Sequence, residues 1–144
     1  VSRVLGVDVG SRRVGLAVSD PARTVATALP TLDAGDARAE DWAERLADRL
    51  ADVAAEHACE TVVIGLPLAM SGRDTASTRS AREVARALER VGWAVALWDE
   101  RLSSAEAERL LIGAGRRREQ RRGERDAVAA TLILQGWLDA QGGA

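Results

Sequence analysis

An aspartate stands in the middle of an apolar run near the start of the chain, Val4-Leu5-Gly6-Val7-Asp8-Val9-Gly10. Residues 3 to 9 read as a β-strand from their Val, Leu and Gly content. A carboxylate in such a strand costs several kcal/mol to desolvate unless a cation or hydrogen-bond donors compensate it. Two explanations compete. Asp8 either caps the following turn through the amides around Gly10 and Ser11, or it binds a metal ion. The cap leaves the other acids of the chain without a role, and the metal ligand is the reading adopted.

Residues 14 to 19 form a second strand-like run, and Gly10-Ser11-Arg12-Arg13 between the two is a turn signal, which makes a hairpin. Val25 to Thr31 supplies a third strand. A helix is expected from about Arg38 to His57, with Trp42, Leu46, Leu50 and Val53 on one face. Thr61 to Leu66 is a short continuous apolar run, as in a strand buried on both faces. A second helix is expected from about Thr75 to Arg90, and a fifth strand from Trp93 to Trp98. Ser103 and Glu106 have capping-box spacing, so a helix should run from there to about Gly113. An Arg-rich loop and a last helix, from about Arg125 to Ala140, complete the pattern. Three opening strands followed by helix-strand alternation describe an α/β fold, a mixed five-stranded sheet with helices on its faces. The 144 residues, 47% apolar, suit one domain.

Two further acids fall where elements end. Asp99 and Glu100 follow the fifth strand, and Asp126 is placed in the first turn of the last helix, on the side of Ala130, Ile133 and Trp137. A carboxylate at a helix N-terminus can merely answer the helix dipole, and one in a loop can be solvated. Gathered together, however, such groups repel, so that a proton or a hard cation must neutralise them. Cys59 and His57 are each the only residue of their type, which excludes a disulfide framework and any site built from several His or Cys ligands. Oxygen ligands suit Mg²⁺, or Mn²⁺ in its place. Such ions polarise a phosphodiester and stabilise the leaving oxygen of an in-line displacement.

The net charge of −2 gives no general basic field, so a hold on nucleic acid must be local. All 20 basic residues are arginines. Six of them, Arg116, Arg117, Arg118, Arg121, Arg122 and Arg125, crowd just before Asp126, a segment that can be a solvated loop or a phosphate grip. Arg12, Arg13 and Arg101, next to the acidic motifs, are further candidates for phosphate contact. Phe and Tyr are absent, and the four Trp residues fall mostly at core-like positions, which leaves no stacking platform; Trp98 reads as core. No apolar run approaches the roughly 18 residues of a membrane span, and a soluble, cytoplasmic protein is expected.

Four segments carry a family resemblance: Val7-Asp8-Val9-Gly10-Ser11-Arg12-Arg13-Val14-Gly15-Leu16-Ala17, Gly65-Leu66-Pro67-Leu68, Asp99-Glu100-Arg101-Leu102-Ser103 and Asp126-Ala127-Val128-Ala129-Ala130. In order and spacing the chain resembles the YqgF family, also called RuvX. The resemblance implies a ribonuclease H-like fold related to the RuvC resolvases, and a nuclease that matures the 5′ end of pre-16S rRNA; some members were earlier described as Holliday-junction resolvases. It implies Asp8, Glu100 and Asp126 as the catalytic and metal-binding acids. In such a sheet the fifth strand lies at an edge, so that Glu100 must reach across the fourth, and Asp99 stands as the alternative ligand. Ala69 occupies a loop position where members often carry Asn, and Glu124 and Arg125 lie where they carry Lys. Neither departure removes an implied ligand.

The implied partner is nucleic acid, pre-rRNA first and branched DNA second, bound by a monomer or a homodimer. A resolvase would be expected to act as a symmetric dimer. Two other readings compete. The Asp-x-Gly-Ser pattern also opens the phosphate hairpin of sugar-kinase and chaperone-type ATPases, but those enclose nucleotide between two such domains. A non-catalytic RNA-processing module would keep the fold without cleaving, and the retained acids argue against it without deciding the matter.

Overall fold

The computed structural model describes residues 2–102 and 118–142, the last stretch with side chains from residue 127 onward. The strands are β1 (Arg3–Val9), β2 (Arg13–Ser19), β3 (Ala26–Asp33), β4 (Cys59–Leu66) and β5 (Ala94–Asp99). The helices are α1 (Trp42–Glu56), α2 (Ala76–Arg90) and α3 (Arg118–Gly142), with a short 3-10 turn at Glu100–Leu102. The sheet order is β3-β2-β1-β4-β5, antiparallel among the first three strands and parallel from β1 through β4 to β5. This is the mixed five-stranded sheet expected, with β5 at an edge.

The opening hairpin is closed by a glycine. The Gly10 amide donates to the Arg13 carbonyl at 3.0 Å, and a Cβ on Gly10 would lie 2.5 Å from that oxygen. Only a residue without a side chain lets the two strands turn this tightly.

Alternation along the strands separates two cores. Leu5, Val7 and Val9 join Val62, Ile64 and Leu66 beneath Leu46 and Leu50 of α1 and Val84 and Leu88 of α2. Val4, Ala17 and Val63 face the other way, against Ala130, Ile133, Leu134 and Leu138 of α3. The second layer is unusually close to the sheet. A Cβ on Gly6 would come within 2.6 Å of Leu134 Cβ, and one on Gly65 would collide with Ile133 Cδ1. These glycines of β1 and β4 let α3 rest on the backbone itself.

Two boundaries differ from expectation. α1 starts at Trp42, not near Arg38, because the Asp36 carboxylate accepts from the Arg38 amide at 3.0 Å and the Asp36 carbonyl from the Ala39 amide at 3.0 Å. That local turn satisfies backbone groups outside the helix. α3 starts at Arg118, not near Arg125, so Arg118, Arg121 and Arg122 belong to a helix and not a loop, and Asp126 lies well inside α3 rather than in its first turn. Arg, Glu and Gln are strong helix formers and outweigh the single Gly123. The helix expected from Ser103 to Gly113 lies outside the described residues, as do Arg116 and Arg117. α2 begins as expected: Thr75 caps it, with Thr75 and Thr78 forming a reciprocal capping box.

Candidate active site

Asp8 lies on the α3 side of the sheet, two residues after Gly6, and is half-buried. Its partner across β2 is Gly15. On β4, Val7 pairs with Ile64, which brings Gly65 next to Asp8. A carboxylate flanked by glycines on both neighbouring strands has open space beside it, where other strand residues would put side chains.

Glu100 enters that space from the sheet edge. It follows Ala96 and Trp98 on the α3 side of β5 and leans over β4, its Cγ 3.0 Å from where a Gly65 Cβ would be. The missing side chain at Gly65 therefore gives Glu100 its reach across the fourth strand. Among the described residues, Glu100 Oε2 is buried without a hydrogen-bond partner. Burial first, then the negative charge of Asp8 and then that of Asp99, push the Glu100 carboxyl up to about 7.

Asp99 is committed elsewhere. Its carboxylate accepts from Arg101 Nη2 at 2.6 Å, from Arg101 Nε at 3.0 Å and from the Arg101 amide at 2.9 Å. The Arg101 hydrogen bond holds Asp99 below the usual carboxylate range. Of the two adjacent acids, Glu100 is the one with an oxygen left over beside Asp8.

Asp126 stands one turn before Ala130, whose carbonyl oxygen lies over Gly6. Its side chain is outside the described residues. Among the described residues no group of three His, Cys, Asp or Glu side chains is assembled to hold a metal. The pair that is assembled, Asp8 and Glu100, fits a hard divalent cation: both donors are carboxylate oxygens, and one is a buried oxygen with no hydrogen-bond partner among the described residues.

The loop after β4 borders this pair. It turns at Gly72, whose φ of 87° suits glycine, and is tied down by Arg101 Nη1, which donates to the Met70 carbonyl at 3.2 Å. Arg101, expected as a phosphate contact, thus bridges Asp99 to this loop. Thr78 Oγ1 donates to the Pro67 carbonyl at 2.7 Å, fixing the other end. Arg12 and Arg13 are exposed on the hairpin and line a cleft of about 320 Å³ with Thr31, Leu32 and Asp33. The side chains of Arg118, Arg121 and Arg122 lie outside the described residues, as does all of Arg117. Trp98 packs as core, its ring 3.0 Å from where a Cβ on Gly136 would be.

Sequence reasoning missed Gly15 and Gly65, which shape the space between the acids. Their signal was available as strand parity: residues 8, 65 and 100 fall on one side once the pairing of β1, β4 and β5 is known.

The chain is 39% identical to a protein of Listeria innocua named "Putative pre-16S rRNA nuclease", over 95% of this chain and 97% of that one. It is 46% identical to a protein of the same name from Anaeromyxobacter dehalogenans, over 95% of this chain and 96% of that one. Its fold is similar to that of Thermus thermophilus RuvC, solved in complex with a Holliday junction substrate, with a TM-score of 0.60 at 17% identity over 99% of this chain and 97% of that one. The fowlpox virus Holliday junction resolvase is similar at a TM-score of 0.54 and 12% identity, over 96% of this chain and 98% of that one. The sheet is thus ribonuclease H-like, as in the RuvC-type resolvases. A family model described as "RuvX: Holliday junction resolvase" matches residues 2–140. With a match of that extent and relatives so similar over nearly their whole length, the chain belongs to the RuvX family.

Proposed function

We propose that this protein is a metal-dependent nuclease that hydrolyses phosphodiester bonds in RNA and processes the 5′ end of pre-16S rRNA in the cytoplasm. The observation that carries the proposal is the buried Oε2 of Glu100 beside Asp8, without a hydrogen-bond partner among the described residues. Asp8, Glu100 and Asp126 would hold Mg²⁺ or Mn²⁺, which supplies, when bound, Lewis-acid polarisation of the phosphodiester and stabilisation of the leaving oxygen. Without a cation, Glu100 keeps a proton up to about pH 7, which relieves its repulsion from Asp8. Arg12 and Arg13, exposed at the tip of the hairpin that carries Asp8, hold phosphates flanking the cleaved bond. Arg101 positions the loop after β4 against the end of β5, next to Glu100. The names of the relatives favour pre-rRNA as substrate.

The description of the family model and the likeness to RuvC favour a second reading, cleavage of four-way DNA junctions by a homodimer. The test compares pre-16S leader RNA, generic single-stranded RNA and a four-way DNA junction as substrates with Mg²⁺. Preferential cutting of leader RNA, lost in Asp8→Asn while the fold and most RNA binding remain, is the expected result. Undiminished cleavage by Asp8→Asn would remove the central claim, and cutting of the junction alone would replace the first reading by the second.

A further inference from the structure

The helical layer opposite α3 is divided by charge. From Glu40 to Glu56, on and just before α1, six exposed acids outnumber two arginines. From Arg73 to Arg90, on and just before α2, five arginines outnumber three acids. Arg79, Arg86 and Arg90 recur at helical spacing on the exposed side of α2, away from the buried Ala81, Val84 and Leu88. The ion pairs of the described residues involve none of the three, since Asp74 pairs with Arg82 at 2.9 Å. All three are exposed; Arg79 and Arg86 also help hold the Asp74 carboxyl low, and exposed Glu83 lies among them, so the stripe carries three cations against one acid.

The stripe starts near the candidate site. α2 opens at Thr75 and Thr78, both bonded to the Pro67 carbonyl, and the loop they anchor is joined through Met70 to Arg101, the neighbour of Glu100. From Arg79 to Arg90 the helix runs about 16 Å at a rise of 1.5 Å per residue. That length spans about five phosphates of one strand of a duplex. The acidic face of α1 turns phosphate away, and at a net charge of −2 a hold on phosphate depends on local patches such as this one.

We propose that the Arg79, Arg86 and Arg90 stripe of α2 is a track for the phosphate backbone of the RNA flank beyond the cleaved bond. It rests on the nuclease reading above. It assigns α2 the part of gripping the flank, while the acids on the other side of the sheet act on the bond. Guanidinium groups spaced along one helix read charge and not base, so the track is indifferent to sequence.

The test is a triple variant, Arg79→Gln with Arg86→Gln and Arg90→Gln, beside the matching triple Lys variant. Binding is measured in EDTA by fluorescence anisotropy over a range of salt, with a long leader RNA and with an oligonucleotide that spans only the cleaved bond. The Gln variant should bind the long RNA about tenfold or more weakly and lose about 2 from its salt slope, at about 0.7 per lost phosphate contact. It should bind and cleave the short oligonucleotide as wild type does, and the Lys variant should keep the wild-type slope. Wild-type affinity and slope in the Gln variant overturn the track. So does unchanged RNA affinity together with loss of a wild-type dimer in sedimentation, which would assign the stripe to a second copy of the chain. Because binding is read without cleavage, failure of the Asp8→Asn test leaves this measurement standing on its own.

Discussion

Glu100 should make this protein less stable as pH rises toward neutrality. Its carboxyl is pushed up to about 7 from an ordinary 4.5, so between those values the folded state holds a proton that the unfolded chain has released. With more protons bound in the folded state, unfolding free energy falls as pH rises through that window and levels off above it. At about 1.36 kcal/mol per pH unit the displacement corresponds to roughly 3 kcal/mol. Solvent at the half-open site reduces this to about 1–2 kcal/mol. Glu100→Gln keeps the shape and removes the charge. In EDTA at pH 8 it should therefore be more stable than wild type by about 1–2 kcal/mol, or about 2–8 °C in Tm, while the two converge at pH 5. Urea unfolding followed by Trp fluorescence reads this directly. Saturating Mg²⁺ should stabilise wild type and leave the variant nearly unmoved. A wild-type midpoint that stays flat from pH 5 to 8, or a Gln variant less stable at pH 8, would refute the account of Glu100 as a strained carboxyl beside Asp8.

Gly65→Ala should act at two places at once, because its Cβ would collide with Ile133 Cδ1 and press on Glu100 Cγ at 3.0 Å. Thermal unfolding should show a loss of about 1–3 kcal/mol. Adding Ile133→Val, which removes the colliding atom, should restore most of the stability but leave cleavage low; full recovery of cleavage would show that Glu100 does not need the space. Cys59 is 5% exposed and its thiol is pushed up to about 11 by burial, against a smaller lowering from the charge of Arg3. Alkylation of the native protein at pH 8 should therefore track unfolding, and rapid labelling under native conditions would contradict the burial.

The frame of the fold was legible because its signals are local. Apolar density and the Gly10 turn mark the hairpin, and the Thr75 to Arg90 pattern marks α2. Asp8 stood out for a different reason, as a charge in an apolar strand. What escaped depends on neighbours distant in sequence. Gly15 and Gly65 stood in the family-like motifs without a role, since a missing side chain says nothing about which group uses the room. Asp99 and Glu100 are adjacent acids that sequence left as alternatives; strand parity and the Arg101 ion pair separate them. The start of α3 was hidden by its charge, which mimics a loop, although its residues favour helix. The start of α1 was hidden by the Asp36 turn, which competes with helix through a side chain.

The covering of β1 draws on distant parts of the chain. The hairpin with β2 is local, but Val7 finds Ile64 only across α1, and Gly6 is capped by Leu134 from α3. Contacts of such sequence separation cost loop-closure entropy, so they depend on the intervening chain being ordered. A chain that lacks α3 would therefore present Asp8 without the helix that closes over the same strand. On the proposed reading, cutting power arrives only with α3, so incomplete folding products are inert toward the RNA around them.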